Sequence, residues 1–284
     1  MPAQHLAIIL LIIGNLAASL SDVAVKLLDG QVPTFQYVFL RQLLSLLIVF
    51  PLWWRQPYEK RQLQKVTLNL LRAHLILIGS GCMIIAITHL PLATANAVFY
   101  AAPLMMLPLS AWLLREPPSI TKSLATLLGF TGVLVVLRPS EFHSAAWFAL
   151  GTAITIALFN VSARRLPPEQ SVVSTLFWTS ALSLPLSAIL ALYYWRPISA
   201  HEIILILSSA LLILGYNGLA AMAYRKAPAS NIAVAENSGL FFVTLFGVLW
   251  FAEVPDWLTA VGIILIVVPL IPWRLFKKQQ VGFQ

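Results

Sequence analysis

Charge is what this chain has least of: Asp, Glu, Lys and Arg make up 10% of its 284 residues, and hydrophobic residues make up 60%. A soluble domain carries about 25% charged residues. The deficit means that lipid rather than water meets most of this surface. Cysteine is nearly absent. Cys82 stands alone, which excludes an intramolecular disulfide and any cysteine-based metal site. The histidines (His5, His74, His89, His143 and His201) are widely spaced near expected segment ends, and no metal cluster is readable. No ATP-binding loop occurs, so no ATP motor is expected, and no cofactor. The longest loop is about 16 residues, too short for a soluble catalytic domain. The net charge of +8 is spread through short loops between apolar runs, which argues against a nucleic-acid partner.

What is present is a series of apolar runs. Ten crossings are expected, at roughly 6–28, 34–54, 71–89, 92–114, 119–138, 145–163, 172–195, 202–224, 229–251 and 256–274. Most approach the ~20 residues that span ~30 Å of hydrocarbon. The first run is too long for a signal-peptide core and has no basic region before it, so it reads as a retained helix. Lys and Arg set the orientation. One side receives Arg55, Lys60, Arg61, Lys65, Arg72, Arg115, Lys122, Arg164, Arg165, Arg225, Lys226, Arg274, Lys277 and Lys278. The other receives Lys26, Arg138 and Arg196, and Arg41 lies inside a helix. Both termini are therefore expected in the cytoplasm.

A pattern recurs at an offset of 137 residues: Pro91, Glu116 and Pro118 return as Pro228, Glu253 and Pro255. A unit of five crossings ends on the side opposite to its start, so a second copy sits upside down. Two inverted five-helix repeats, 1–140 and 141–284, are the expected organisation of an all-α polytopic membrane protein. The repeated Glu116 and Glu253 are expected to cap the helix that follows each.

Ionisable residues at membrane depth cost about 2.5–3.5 kcal/mol each and tend to face a cavity or a partner. Asp22 and Lys26 share a face of the first helix, and Arg41 in the second is expected at the depth of Asp22. One acid against two bases can hold a substrate anion or form an outer gate. The alternative is an Asp22–Arg41 bridge between two helices, with Lys26 snorkelling outward. Glu236 is expected roughly 10 Å inside the core with no obvious basic partner in the neighbouring sequence, where it can bind a cation or carry a coupling proton, or else simply hydrogen-bond a neighbouring helix. At the repeat offset, Glu236 and Asn237 correspond to Phe99 and Tyr100, and these four are expected to meet near the midplane. Asn15, Asn96, Asn160, Trp178, Tyr216 and Asn217 are expected to extend this substrate-binding lining, each equally readable as interhelical glue. Pro103, Pro108, Pro185 and Pro269 are expected to kink their helices or free carbonyls.

Taken together, the helix pattern, the repeat, the Pro91-Leu92-Ala93-x-Ala95 opening and the later Glu116 resemble the EamA branch of the drug/metabolite transporter superfamily. Ser19-x-x-Asp22-x-x-x-Lys26 followed by Pro33-x-x-Gln36-x-x-x-x-Arg41 resembles one group within it, which includes proteins assigned to riboflavin, S-adenosylmethionine and metallophore movement. The resemblance covers almost the whole chain. It implies a central cavity between the halves, open alternately to each side, with the fifth and tenth helices at the periphery. Arg41 has no basic counterpart in the second repeat, where Trp178-Thr179-Ser180 stands, so the cavity is expected to be asymmetric. The expected function is secondary transport of a small organic metabolite across a bacterial inner membrane. Export is favoured, and uptake of a vitamin or nucleoside-like compound is the alternative, with a non-transporting membrane partner behind both. Its partners are then a small-molecule substrate and the lipid bilayer, and the chain works as a monomer or homodimer.

Overall fold

The computed structural model describes residues 3–114, 120–137, 143–163, 165–167, 169–226, 235 and 238–270, and no strand occurs among them. The helices are α1 (Ala3–Lys26), α2 (Thr34–Trp54), α3 (Tyr58–Arg61), α4 (Val66–His89), α5 (Leu92–Phe99) and α6 (Ala102–Leu114). They continue with α7 (Ile120–Leu137), α8 (Ala145–Ala163), α9 (Val172–Tyr193) and α10 (Ala200–Lys226). The last are α11 (Ser238–Phe251) and α12 (Trp257–Val267), which runs into a 3₁₀ turn at Val268–Leu270. Among the described residues, seven stretches are long and apolar enough to cross a membrane, with Leu92–Leu113 counted as one. Shorter apolar helices, Ser123–Leu137, Ser238–Phe251 and Trp257–Val267, stand where the fifth, ninth and tenth crossings are expected.

The sequence explains the local departures from ten plain rods. The third crossing starts at Val66, earlier than expected, and the loop before it holds α3. The fourth crossing is broken between α5 and α6. Pro103 has no N–H to give the Phe99 carbonyl four residues back. The backbone tightens ahead of it, with Ala101 N–H donating to Val98 at 3.0 Å. Polar residues start three of the later helices. Ser171 accepts from Ser174 N–H at 3.0 Å ahead of α9, and Asp256 accepts from Thr259 N–H at 3.1 Å ahead of α12. At α10, Ser199 and Glu202 form a capping box: Glu202 N–H donates to Ser199 Oγ at 3.3 Å, and Ser199 N–H donates to the Glu202 carboxylate at 2.7 Å.

Pairwise packing closes a ring in the order α2, α9, α4, α8, α5/α6, α11, α1, α10 and back to α2. The pair α7/α12 packs outside it, against α5. The order of the ring is unchanged when α1, α2, α4 and α5/α6 are exchanged with α8, α9, α10 and α11: α1 on α10 becomes α8 on α4, and α4 on α9 becomes α10 on α2; the α7/α12 pair breaks the exchange by packing on the first-half side. Small side chains let the ring close tightly. Ala95, Ala97, Ala149, Ala153 and Ala157 are fully buried. Where α7 crosses α12, a Cβ on Gly132 would lie 2.7 Å from the Gly262 carbonyl oxygen, so two backbones meet at a spacing only glycine permits.

Candidate functional site

The helix break in the fourth crossing meets the start of α11 at the seam between the two halves. Asn15 on α1, 2% exposed, donates through Nδ2 to the Ala235 carbonyl at 2.9 Å and to Ser238 Oγ at 3.1 Å. One turn on, Ser19 Oγ reaches the Gly239 carbonyl at 3.2 Å and its own helix at Asn15 O at 2.8 Å. The Tyr100 hydroxyl lies over Gly239, where an added Cβ would sit only 1.9 Å from it. Asn15, Tyr100 and the first turn of α11 therefore form one packed unit. Glu236 and Asn237 lie outside the described residues.

A second polar group lies farther along α1. Asp22 is half-buried, close to Asn96, and feels the positive charge of Arg41. Arg41 does not form the direct bridge to Asp22 expected from their depth. It donates to Ser80 Oγ on α4 at 2.8 Å, and its guanidinium stands 5.9 Å from the Tyr37 ring centroid. Ser80 takes the bond of the base, which leaves a carboxylate and a guanidinium at membrane depth with only part of their bonding capacity used.

The end of the bundle carrying Lys26 is stitched shut. Lys26 forms a salt bridge with Glu253, donates to the Leu90 carbonyl at 2.8 Å, and lies 5.3 Å from the Phe251 ring centroid. The other Glu253 oxygen accepts from Leu92 N–H at 2.7 Å. Glu253 thus caps α5, a helix of the other half, and not the helix that follows it, because Asp256 already occupies that position. Ala252 holds a left-handed backbone at φ 53°, which turns the chain after α11 and aims Glu253 back across the mouth. Ser209 on α10 joins Ser21 on α1 at 2.8 Å and Tyr37 on α2 at 2.7 Å, all buried. Gln36 donates to the Arg196 carbonyl at 2.8 Å and closes the remaining corner.

The opposite end carries Arg61, Lys65 and Arg165 and is called the basic end below. Here a cavity of about 400 Å³ is lined by Arg72, Phe159, Gln170, Thr175, Asn217 and neighbouring apolar side chains. It touches α4, α8, α9 and α10 but not α2, which stands between α9 and α10 in the ring, so it lies on the ring's inner side. A second cavity, about 490 Å³, lies at the Lys26 end among Pro91, His143, Glu253 and Asp256. It touches no residue of α1, α2, α9 or α10, and so does not open through the ring.

The structure distributes the expected lining residues unevenly. Asn15 and Tyr100 meet at one seam, Asp22, Asn96 and Arg41 gather at the next, and Phe99 is buried in the main apolar core. Tyr216 packs on α1, 3.3 Å from where a Cβ on Gly14 would be. Asn217 lines the cavity at the basic end. Trp178 does not line it. Its indole N–H donates to the Arg61 carbonyl at 2.8 Å, within an aromatic cluster where Trp53 and Phe177 stack at 3.9 Å. Asn160 is exposed and joins none of these groups, because its helix turns that position away from the packed face. Lys26 pairs with Glu253 instead of sharing Asp22 or snorkelling free. Glu253 as a clamp between the halves was not legible in the sequence, and Arg72, expected at the start of the crossing 71–89 among the cations of one membrane side, is 2% exposed. The earlier start of α4 at Val66 is what carries Arg72 six residues into the helix.

Comparison with known proteins places this geometry in context. The chain is 26% identical to the pseudopaline exporter CntI of Pseudomonas aeruginosa, over 95% of this chain and 96% of that one. It is 25% identical to an S-adenosylmethionine uptake transporter of Rickettsia conorii, over 92% and 88%. The riboflavin transporter of Vibrio cholerae is 28% identical over 75% and 74%. A solved crystal structure with 18% sequence identity superposes over 98% of each chain with a TM-score of 0.62, a likeness of fold alone. The model of the EamA-like transporter family matches twice in tandem, over residues 5–138 and 143–271, and the chain belongs to that family of multi-pass membrane proteins.

Proposed function

We propose that the chain is a secondary transporter that moves a small organic metabolite across a bacterial inner membrane by alternating access. The observation that carries this reading is the asymmetry of the ring. Lys26, Glu253 and the Leu92 amide tie three elements across one mouth, while an interior cavity opens at the other. A stable structural bundle has no need of partly satisfied ionisable groups at membrane depth, whereas a transporter uses them to bind and release cargo. The halves 1–140 and 141–284 act as inverted units that rock about the α2/α9 and α7/α12 contacts, with both termini and the basic end in the cytoplasm. In this reading Glu236, Asn237, Tyr100 and Asn96 contact the substrate, and Asp22, Lys26 and Arg41 respond to it at the outer mouth. Glu236 handles the coupling proton or cation.

Export is the favoured direction, supported by the end-to-end similarity to a protein named as an exporter. Uptake is the second reading, favoured by four relatives named as S-adenosylmethionine uptake transporters. The test compares metabolites in medium and cytoplasm of cells carrying the wild type, Glu236→Ala or Asp22→Asn at matched membrane levels. A compound enriched outside only with the wild type supports export, and one enriched inside supports uptake. Identical metabolite profiles for all three proteins across several growth conditions contradict transport.

A further inference from the structure

Arg72 is the most deeply buried cation among the described residues, and its bonding is incomplete. Nη1 donates to the Phe159 carbonyl at 2.5 Å and to Ser162 Oγ at 2.9 Å, and the guanidinium stacks 3.7 Å from the Phe159 ring centroid. Nε is buried with no partner. Nη2 has no hydrogen-bond partner among the described residues, and Arg72 lines the cavity at the basic end. No carboxylate reaches ion-pair distance of Arg72 among the described residues. Across the cavity, Asn217 on α10 also lacks a side-chain partner there. A guanidinium removed from water without a counter-charge is costly, and bonds to two neutral oxygens do not neutralise it.

We propose that Arg72 and Asn217 form an anion subsite in the substrate path, so that the transported metabolite carries a carboxylate, phosphate or similar oxyanion that docks on Nη2. This rests on the transporter reading above. Position supports it: Arg72 belongs to the first half, Asn217 to the second, and the cavity between them lies inside the ring rather than against lipid. A guanidinium edge and a carboxamide are matched to a planar or tetrahedral oxyanion, with the guanidinium supplying charge and the amide N–H₂ a second donor. Gln170 and Thr175 complete the polar wall. Gln170 Nε2 donates to Asn69 Oδ1 at 3.1 Å and to Thr175 Oγ1 at 3.3 Å, which holds the wall in shape without using Arg72.

The test uses the full-length protein purified into nanodiscs of phosphatidylcholine and the variants Arg72→Gln, Arg72→Lys and Asn217→Ala. Asn217→Ala removes a side chain without partners and so is expected to fold even where Arg72→Gln does not. Inorganic phosphate at constant ionic strength, compared with chloride, is expected to raise the wild-type thermal midpoint by about 3 °C. Asn217→Ala and Arg72→Gln abolish the rise, and Arg72→Lys retains part of it. No rise in the wild type overturns the subsite. A rise produced only by adding phosphatidylglycerol, with phosphate inert, assigns the guanidinium to a lipid headgroup and overturns it equally. In cells, every metabolite redistributed by the wild type is expected to be an oxyanion, and Asn217→Ala to slow it about tenfold. Redistribution of a neutral or purely cationic compound leaves transport standing and removes the subsite. A phosphate response that depends on Arg72, with no metabolite redistributed, keeps the subsite and removes transport.

Discussion

The Tyr100 hydroxyl and the bare Cα of Gly239 define how close the two halves come. An alanine at 239 would place a methyl 1.9 Å from that oxygen, so Gly239→Ala is expected to destabilise the protein by about 1–3 kcal/mol. Adding Tyr100→Phe is expected to restore most of the loss, which thermal unfolding of the single and double variants would measure. If the second change adds to the damage, the contact does not set the spacing. Lys26 and Glu253 offer a complementary case. With side chains 11% and 22% exposed, their pair is worth about 2 kcal/mol, between surface and fully buried values. A double-mutant cycle of Lys26→Met and Glu253→Gln is expected to show that coupling, and additive losses would remove the bridge as a stabilising feature. Neither partnership could be read from the chain. Lys26 and Glu253 stand 227 positions apart, and hydropathy locates a charge without naming what it meets. Asp22 and Arg41 were legible as residues that do not belong in lipid, yet that Arg41 bonds Ser80 is something only the folded packing decides.

Helices show how far local signals reach. Apolar runs are a local property, so the long crossings stand close to their expected ranges, and Pro103 marked the fourth crossing as irregular. That the irregularity is a complete break with Tyr100 at its corner depends on α11 packing against α5. Pro103→Ala returns an N–H to the Phe99 carbonyl and is expected to straighten the element. Stability should hold or rise while transport slows, and faster transport by the straightened variant would separate the break from the working cycle. Helix starts are a second local signal. Asp256→Ala is expected to cost about 1 kcal/mol through loss of the α12 cap, measured by thermal unfolding. The unexpected feature is Glu253, which fills the same role for α5 from the opposite half. A side chain that caps a helix in the other unit makes helix integrity depend on how the units are arranged, so opening that mouth frees the first turn of α5.

At the scale of the whole molecule, the order of helices around the ring survives exchange of its two halves while the chemistry does not. Arg41 and Arg72 lie in the first half, and the residues at the 137-residue offset are Trp178 and Ser209. Ser209 instead sits in the buried hydroxyl cluster with Tyr37 and Ser21 at the stitched end. A symmetric frame with an asymmetric lining suits a protein whose two states must be similar in energy but whose cargo has distinct ends. The recurrence of Pro91, Glu116 and Pro118 was the signal for two repeats, and of that recurrence Glu116, Pro118 and Pro228 lie outside the described residues. The lining was less legible because it depends on which helix face turns inward, and a short apolar helix with polar residues on more than one face does not declare that. Alternating access requires the Lys26 end to open in each cycle. In a Cys82→Ser background, cysteines at positions 26 and 253 can be joined by a short bifunctional thiol reagent and released by reduction. The bridged protein is predicted to lose redistribution of its metabolite and to regain it on reduction. Redistribution at the wild-type rate with the mouth held closed would contradict alternating access.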